Sequence, residues 1–312
     1  MLHIWSTARY AFPLPEGHRF PAEKYGMLQK QVLAEGIVPP ERMHEPGRVA
    51  REDLLRVHTE RYVDAVENGD LTPAEQRLVG LPWSPELAER SYRAAGATCE
   101  AALHALTEGV AMSLSGGTHH AFADRGEGFC VFNDVVVATR MLQHRGLIQR
   151  AAVIDLDVHQ GNGTHALASG DDSVYTFSMH GRNNYPFRKV PGRMDIELED
   201  GVVDDEYLAA LAQALPEVLS EAQPDMVFYL AGADTHEGDR LGRMKLTFAG
   251  LKRRDVMVLD GCRDIGLPVV VLVAGGYGRD IQDTIRVHTN TAALLRDYGT
   301  NAAGEWRTGR RL

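Results

Sequence analysis

Cysteine is scarce in this chain, with three residues among 312: Cys99, Cys130 and Cys262. They lie far apart, form no CxxC pair and leave an odd count. A disulfide framework is therefore not expected, and a reducing compartment is implied. Long apolar runs are missing too, so no stretch reads as a membrane span. The opening residues, Met1 to Ser6, carry no basic segment leading into an apolar one, so no signal peptide is expected and the expected location is cytoplasmic. Positive charge is in deficit: Lys plus Arg number 33 against 43 for Asp plus Glu, a net charge of −10. That weighs against a nucleic-acid binder, which needs a basic footprint, and leaves a basic peptide open as a partner. Repeats, linkers and low-complexity segments are absent, so a single domain over residues 1–312 is expected.

What is present is a well-packed α/β pattern, with 44% hydrophobic residues. The spacing predicts strands over 2–7, 110–114, 151–156, 173–177, 226–230 and 268–273. It predicts helices over 21–35, 85–107, 135–144, 204–221, 248–265 and 281–298, with two short ones at 51–57 and 61–67. The stretch 68–84 reads as irregular and 301–312 as a loose tail. Strands alternating with helices, with continuous apolar cores, imply a doubly wound, mostly parallel sheet with helices on both faces. Five of the strands end in clusters of Gly, His, Asp, Ser or Tyr. In open α/β sheets ligands bind beyond the carboxyl ends of the strands, so one site on one sheet edge is expected.

The organising stretch is Ala151 to Thr164. It opens as a buried strand and closes in Gly161-Asn162-Gly163. Asp155, Asp157 and His159 follow at i, i+2 and i+4, which on an extended strand would place all three on one face. Two carboxylates and an imidazole suit a catalytic divalent metal, and Asp234 after the 226–230 strand offers a further ligand. With no thiolate in the set, Zn²⁺ is the expected ion, with Fe²⁺ or Mn²⁺ as alternatives. The blander reading of each acid is a cap on the loop that follows.

His119 and His120 follow Gly116-Gly117-Thr118. One imidazole could take a proton from an attacking water and the other assist the leaving group, each needing a partner on its second nitrogen. Asp155 and Asn162 are the candidates. A satisfied structural pair is the alternative. Tyr277, between glycines, could donate a hydrogen bond to a developing oxyanion. Phe129, after Gly128, could wall an apolar channel, or simply be buried.

Taken together, Gly116-Gly117-Thr118-His119-His120-Ala121, Gly128-Phe129-Cys130-Val131-Phe132-Asn133-Asp134, Asp155-Leu156-Asp157-Val158-His159, Ala231-Gly232-Ala233-Asp234 and Gly275-Gly276-Tyr277 resemble the motif set of the zinc-dependent histone deacetylase family. They cover residues 110 to 280 in the family's order. Asp124-Arg125-Gly126 and Glu237-Gly238-Asp239-Arg240-Leu241-Gly242 resemble its class IV branch. The resemblance implies the arginase/deacetylase fold and Zn²⁺ held by Asp157, His159 and Asp234. It implies His119 paired with Asp155, His120 paired with Asn162, and Tyr277 polarising the scissile carbonyl. Gly128, Phe129 and Tyr185 would line an acyl-lysine tunnel with Leu241 near its floor. A structural K⁺ would sit near Asp155, Asp157, His159, Ser178 and Met179.

The chain departs from the class I pattern in two places. Asn162 stands where those enzymes have Asp, so His120 should have a lower pKa than a carboxylate partner would give it. The segment Leu81-Pro82-Trp83-Ser84 stands where their rim aspartate would be. The implied activity is hydrolysis of an N-acyl-lysine amide, acetyl or longer. An acetylpolyamine amidohydrolase acting on a small acylated amine, a dimetal ureohydrolase and a non-catalytic acyl-lysine binding module are the competing readings. The oligomeric state is not legible.

Overall fold

The computed structural model describes residues 1–299. Its strands are β1 (Ile4–Trp5), β2 (Met43–His44), β3 (Val110–Ser113), β4 (Ala151–Asp155), β5 (Val174–Gly181), β6 (Met194–Leu198), β7 (Met226–Leu230) and β8 (Val269–Leu272). They form one sheet in the order β2-β1-β3-β8-β7-β4-β5-β6, and every pairing is parallel.

The period-2 alternation of these strands builds two cores. One row of register partners runs Ile4, Met112, Val271, Tyr229, Ile154, Phe177 across the sheet. It packs against the helices Lys24–Ala34, Asp204–Ala222, Phe248–Asp264 and Ile281–Leu294. The neighbouring row, Ala111, Val270, Phe228, Val153, faces the helices Glu60–Asn68, Pro85–Glu108 and Asp134–His144. Each such side chain, taken fully out of water, contributes ~1.5–3 kcal/mol before entropic costs. Strands covered on both faces must be apolar at every position, which is why these read as unbroken hydrophobic runs.

The predicted sheet and major helices are present, with instructive differences. The 68–84 stretch contains a helix, Pro73–Val79, opened by a capping box in which Thr72 and Glu75 satisfy each other's backbone N–H, with Pro73 in its first turn. The glycine-rich segment after β4 forms a second unforeseen helix, Asn162–Ala168, and β6 is an unforeseen edge strand. β4 stops at Asp155, so Asp157 and His159 lie on the loop beyond it and not on the strand face expected. β5 continues through Gly181 and carries Ser178 and Met179 within it. The tail foreseen at 301–312 lies outside the described residues. The three cysteines are buried and unpaired. Among the described residues no helix is long and apolar enough to cross a membrane.

Candidate metal centre and catalytic cleft

Four adjacent strands, β3, β8, β7 and β4, end side by side. The loops leaving them carry His119 and His120, Tyr277, Asp234, and Asp157 with His159 respectively. Parallel pairing puts all four loops at one sheet edge, so residues more than 150 positions apart meet.

Asp157, His159 and Asp234 are buried, and one ligand atom from each lies within 4.8 Å of the others. His159 Nδ1 faces Asp157 Oδ1 at 2.9 Å and Asp234 Oδ2 at 3.2 Å. The remaining lone pairs are tied to the backbone. Val158 N–H donates to Asp234 Oδ1 at 3.0 Å and Gly275 N–H to Asp157 Oδ2 at 2.6 Å. Asp234 Oδ2 alone has no aligned hydrogen-bond partner. A Cβ at position 275 would collide with both carboxylates, so only glycine lets this backbone approach them. Burial and the Asp157 charge raise the Asp234 carboxyl to about 7, against the pull of His159. Burial alone would depress His159, but hydrogen bonds and charge from Asp157 and Asp234 raise it to about 10. Two buried acids around one imidazole, with one oxygen unsatisfied, fit a divalent cation, which would displace the proton held between them.

The paired histidines sit against this cluster. His119 Nδ1 donates to Asp155 Oδ2 at 2.6 Å, and His120 Nδ1 to Asn162 Oδ1 at 2.7 Å. An amide oxygen only accepts, so His120 carries its proton on Nδ1 and leaves Nε2 free as a base. Burial opposes charge on His119, yet Asp155 and Asp157 raise it to about 9. His120 is pushed well below 6.5, by burial first and then by His119 and His159. Burial and the neighbouring imidazoles cause this lowering, while the hydrogen bond to Asn162 acts the other way. The turn bearing both histidines is anchored by buried Asp134, which accepts from Gly117 N–H at 2.9 Å and Thr118 N–H at 2.8 Å. Tyr277 is buried, its ring edge-on to His159 with centroids 6.4 Å apart.

A family model described as the histone deacetylase domain matches residues 18–292. The chain belongs to the histone deacetylase family. Members of this family are metal-dependent amidohydrolases, and this deacetylase is accordingly an enzyme of that type. It is 45% identical, over 92% of its length and 96% of the relative's, to an uncharacterized protein of Picosynechococcus sp.. It is 32% identical to histone deacetylase 2 of Arabidopsis thaliana over 86% of its own length and 73% of the relative's. Among solved structures it resembles a histone deacetylase homologue complexed with SAHA, with a TM-score of 0.82 and 25% identity, covering 95% of this chain and 84% of that one. The HDA15 deacetylase domain shares the fold, with a TM-score of 0.81 at 24% identity over 94% and 90% of the two chains.

Two cavities of the deacetylase meet at this cluster. The outer one, about 800 Å³, is lined by His120, Gly128, Phe129, His159, Tyr185, Leu241 and Tyr277. The inner one, about 70 Å³, lies beyond Phe129 and Tyr277 and ends among Lys24, Tyr25 and Arg90. Leu241 lines the outer cavity, which also reaches His120, His159 and Tyr277. Of the segment thought to stand at the rim, Leu81 lines the inner cavity and Trp83 turns away to donate to Val66 O at 2.8 Å. Phe129 holds a left-handed φ of 67°, fixed by its N–H bond to Val79 O at 2.7 Å. That conformation is costly for a bulky residue and aims the ring at the cleft. Ser178 is paired in register with Asp155, and Met179 follows it; both are buried and neither lines the two cavities.

Sequence reasoning missed three acids that organise the cleft. Asp134, which the sequence offers only as the last residue of a motif, anchors the histidine turn. Asp239 accepts from Leu241 N–H and Gly242 N–H, at 2.7 and 2.9 Å, and from Tyr277 N–H at 2.6 Å, joining the Leu241 loop to the tyrosine loop. Glu127 accepts from Asn162 Nδ2 at 3.3 Å, Tyr185 Oη at 3.0 Å and Arg125 Nε at 2.8 Å. Nothing in spacing flags such residues, because they act on backbone or on other side chains from distant segments. Lys24 and Arg90, buried cations in the inner cavity, were likewise unforeseen.

Proposed function

We propose that this enzyme is a zinc-dependent lysine deacylase that hydrolyses the N-acyl amide of acyl-lysine, with short acyl groups preferred. The observation that carries the proposal is the convergence of Asp157, His159 and Asp234 within 4.8 Å beside Tyr277 and the two imidazoles. Asp157, His159 and Asp234 would hold the ion. When bound, zinc supplies a Lewis acid for the acyl oxygen and acidifies a water.

The chain's own groups do the rest. The aliphatic stem of lysine lies between Phe129 and Tyr185, with the amide over the histidines. His120, neutral and with Nε2 free, takes the proton of the attacking water. The Tyr277 hydroxyl, held protonated by burial and by the charges of Asp157 and Asp234, donates to the carbonyl oxygen as negative charge develops there. The carbon–nitrogen bond then breaks, an imidazolium returns the proton to the lysine amine, and a carboxylate leaves. His119, cationic beside Asp155, supports the developing charge. A K⁺ held near Asp155, Asp157, His159, Ser178 and Met179 would stiffen the loop that carries the ligands.

The inner cavity supports the preference for short acyl groups. At about 70 Å³ it is less than a tenth of the outer cavity's about 800 Å³. A panel of peptides from acetyl- to myristoyl-lysine, with acetylpolyamines alongside, tests the reading on protein loaded with Zn²⁺ or Fe²⁺. Rates should be highest at the short end. Stoichiometric metal with no hydrolysis of any member would overturn it.

A further inference from the structure

The chain as a whole is acidic, yet the outer cavity is not. Six cations line it: Arg19, Arg77, Arg240, Arg243, Lys245 and Arg279. All six are exposed. Against them stand two acids, Glu237 and Asp239, and Asp239 is buried with its oxygens taken by the three backbone N–H groups described above. The ratio of six to two contrasts with 33 to 43 over the whole sequence. Arg243 pairs with Asp200 at 3.1 Å. Among the described residues the other five have no carboxylate within ion-pair distance, whereas Arg9, Arg48, Arg61, Arg182, Arg193 and Arg253, exposed elsewhere, each have one. The guanidinium of Arg240 is tethered only to the Tyr277 carbonyl, by its Nε at 3.1 Å.

These residues come from separate segments: the 19 and 77 positions, the 240–245 loop and the loop after Tyr277. The fold gathers them around one opening, and for five of them no neighbouring carboxylate neutralises the charge. Leu78 and Phe187, exposed at 48% and 86%, stand in or beside the same ring as apolar contacts.

We propose that the substrate is an acyl-lysine set in an acidic peptide segment, its flanking Asp and Glu side chains held by this cationic rim. This rests on the deacylase reading and specifies its substrate class. The cations stand at the mouth, so they meet residues on either side of the modified lysine and not the acyl group at the bottom. Unpaired charges around an opening in a low-dielectric wall attract the opposite charge over distances near the Debye length of ~8–10 Å. The same field repels cations, which disfavours both an acetylpolyamine and a lysine-rich tail.

The test uses one acyl-lysine in three otherwise matched peptides, with acidic, neutral or basic flanks. At low salt kcat/KM should fall from acidic to neutral to basic, spanning roughly tenfold or more, with the difference carried by KM. The span should shrink toward unity as salt is raised. Combined Arg77→Glu, Lys245→Glu and Arg279→Glu should abolish or invert the order. The charge-matched set Arg193→Glu, Arg253→Glu and Arg296→Glu, exposed and outside the cleft lining, should preserve it, and circular dichroism checks that both fold. Equal rates for the three peptides, or a lead for the basic one, would overturn the rim assignment while leaving the deacylase reading intact. A gain confined to succinyl-lysine in neutral flanks, or single-stranded RNA displacing the peptide more strongly than acidic peptide does, would also overturn it. Binding of the same peptides by fluorescence anisotropy separates the two claims. Tighter binding of the acidic peptide with no turnover would sink the deacylase reading and support the rim.

Discussion

His119 and His120 are chain neighbours whose ring centroids lie 4.1 Å apart, yet they stand on opposite sides of neutrality. Both are buried, and burial pushes both toward the neutral form. What separates them is the charge around each ring. His119 has the carboxylates of Asp155 and Asp157 beside it, so its imidazolium survives. His120 has two imidazoles beside it and only an amide on Nδ1, so it stays neutral, with its one proton on Nδ1. A pair of like groups with pKa values driven apart provides a base and a charge stabiliser from the same residue type. Local sequence is almost identical for the two rings; the difference comes from what the end of β4 and the loop and helix after it bring to them.

That contrast can be broken. His120→Ala removes the only free Nε2 base in this scheme, so kcat should drop by ~10²–10⁴ with KM little changed. Steady-state kinetics on an acetyl-lysine peptide measures it, and a KM effect alone would reassign His120 to binding. Asp155→Asn takes the charge from His119 and should cost ~10–100-fold in kcat, as loss of a supporting hydrogen-bond partner typically does. Metal content should stay unchanged in that variant, since Asp155 lies outside the ligand trio.

It can also be sharpened. Asn162→Asp would give both rings carboxylate partners. The active form of His120 is neutral, and its pKa lies below 6.5, so activity should persist on the acidic side of 6.5 in the parent. A carboxylate stabilises the imidazolium and raises that pKa, so the acidic limb of the kcat/KM profile should move to higher pH by ~1 unit or more. A limb that stays put would mean that another group controls it. The smallest effect belongs to Glu127→Gln. Glu127 holds Asn162 Nδ2 and so fixes which end of the amide faces His120. Glu127→Gln keeps an acceptor and should lower kcat by less than threefold, a cost of under ~0.6 kcal/mol, whereas Glu127→Leu frees the amide to rotate and should cost ~1–3 kcal/mol.

The parallel sheet, the helices on its two faces and the edge bearing the site were legible because they rest on periodicity and on polar clusters at strand ends. The trio of ligands was legible for a partly wrong reason. Strand alternation was meant to align Asp155, Asp157 and His159, but β4 ends at Asp155 and the loop beyond it turns the later two toward Asp234. Helix Pro73–Val79 was readable, since Thr72-Pro73 with Glu75 is a capping box, but three polar residues and a short length hid it. β6 alternates Met194, Ile196 and Leu198 with acids, as an edge strand does, yet its five residues are too few to stand out. Helix Asn162–Ala168 was masked by Gly163, which is there because a Cβ would strike the Ala121 carbonyl. The cationic rim was invisible in the composition, since net charge averages over a surface that the fold sorts by place.

The sheet order also governs when this enzyme comes alive. Its centre is drawn from β3 near residue 113, β4 at 155, β7 at 230 and β8 at 272, with the final strand inserted between β3 and β7. Until that last insertion the earlier strands have a gap at the very edge where the ligands must meet. A ribosome-bound chain, or one truncated before β8, would keep much of its helix content and have no working centre. Turnover therefore requires β8 and the loop after it, whereas much of the helix signal in circular dichroism does not.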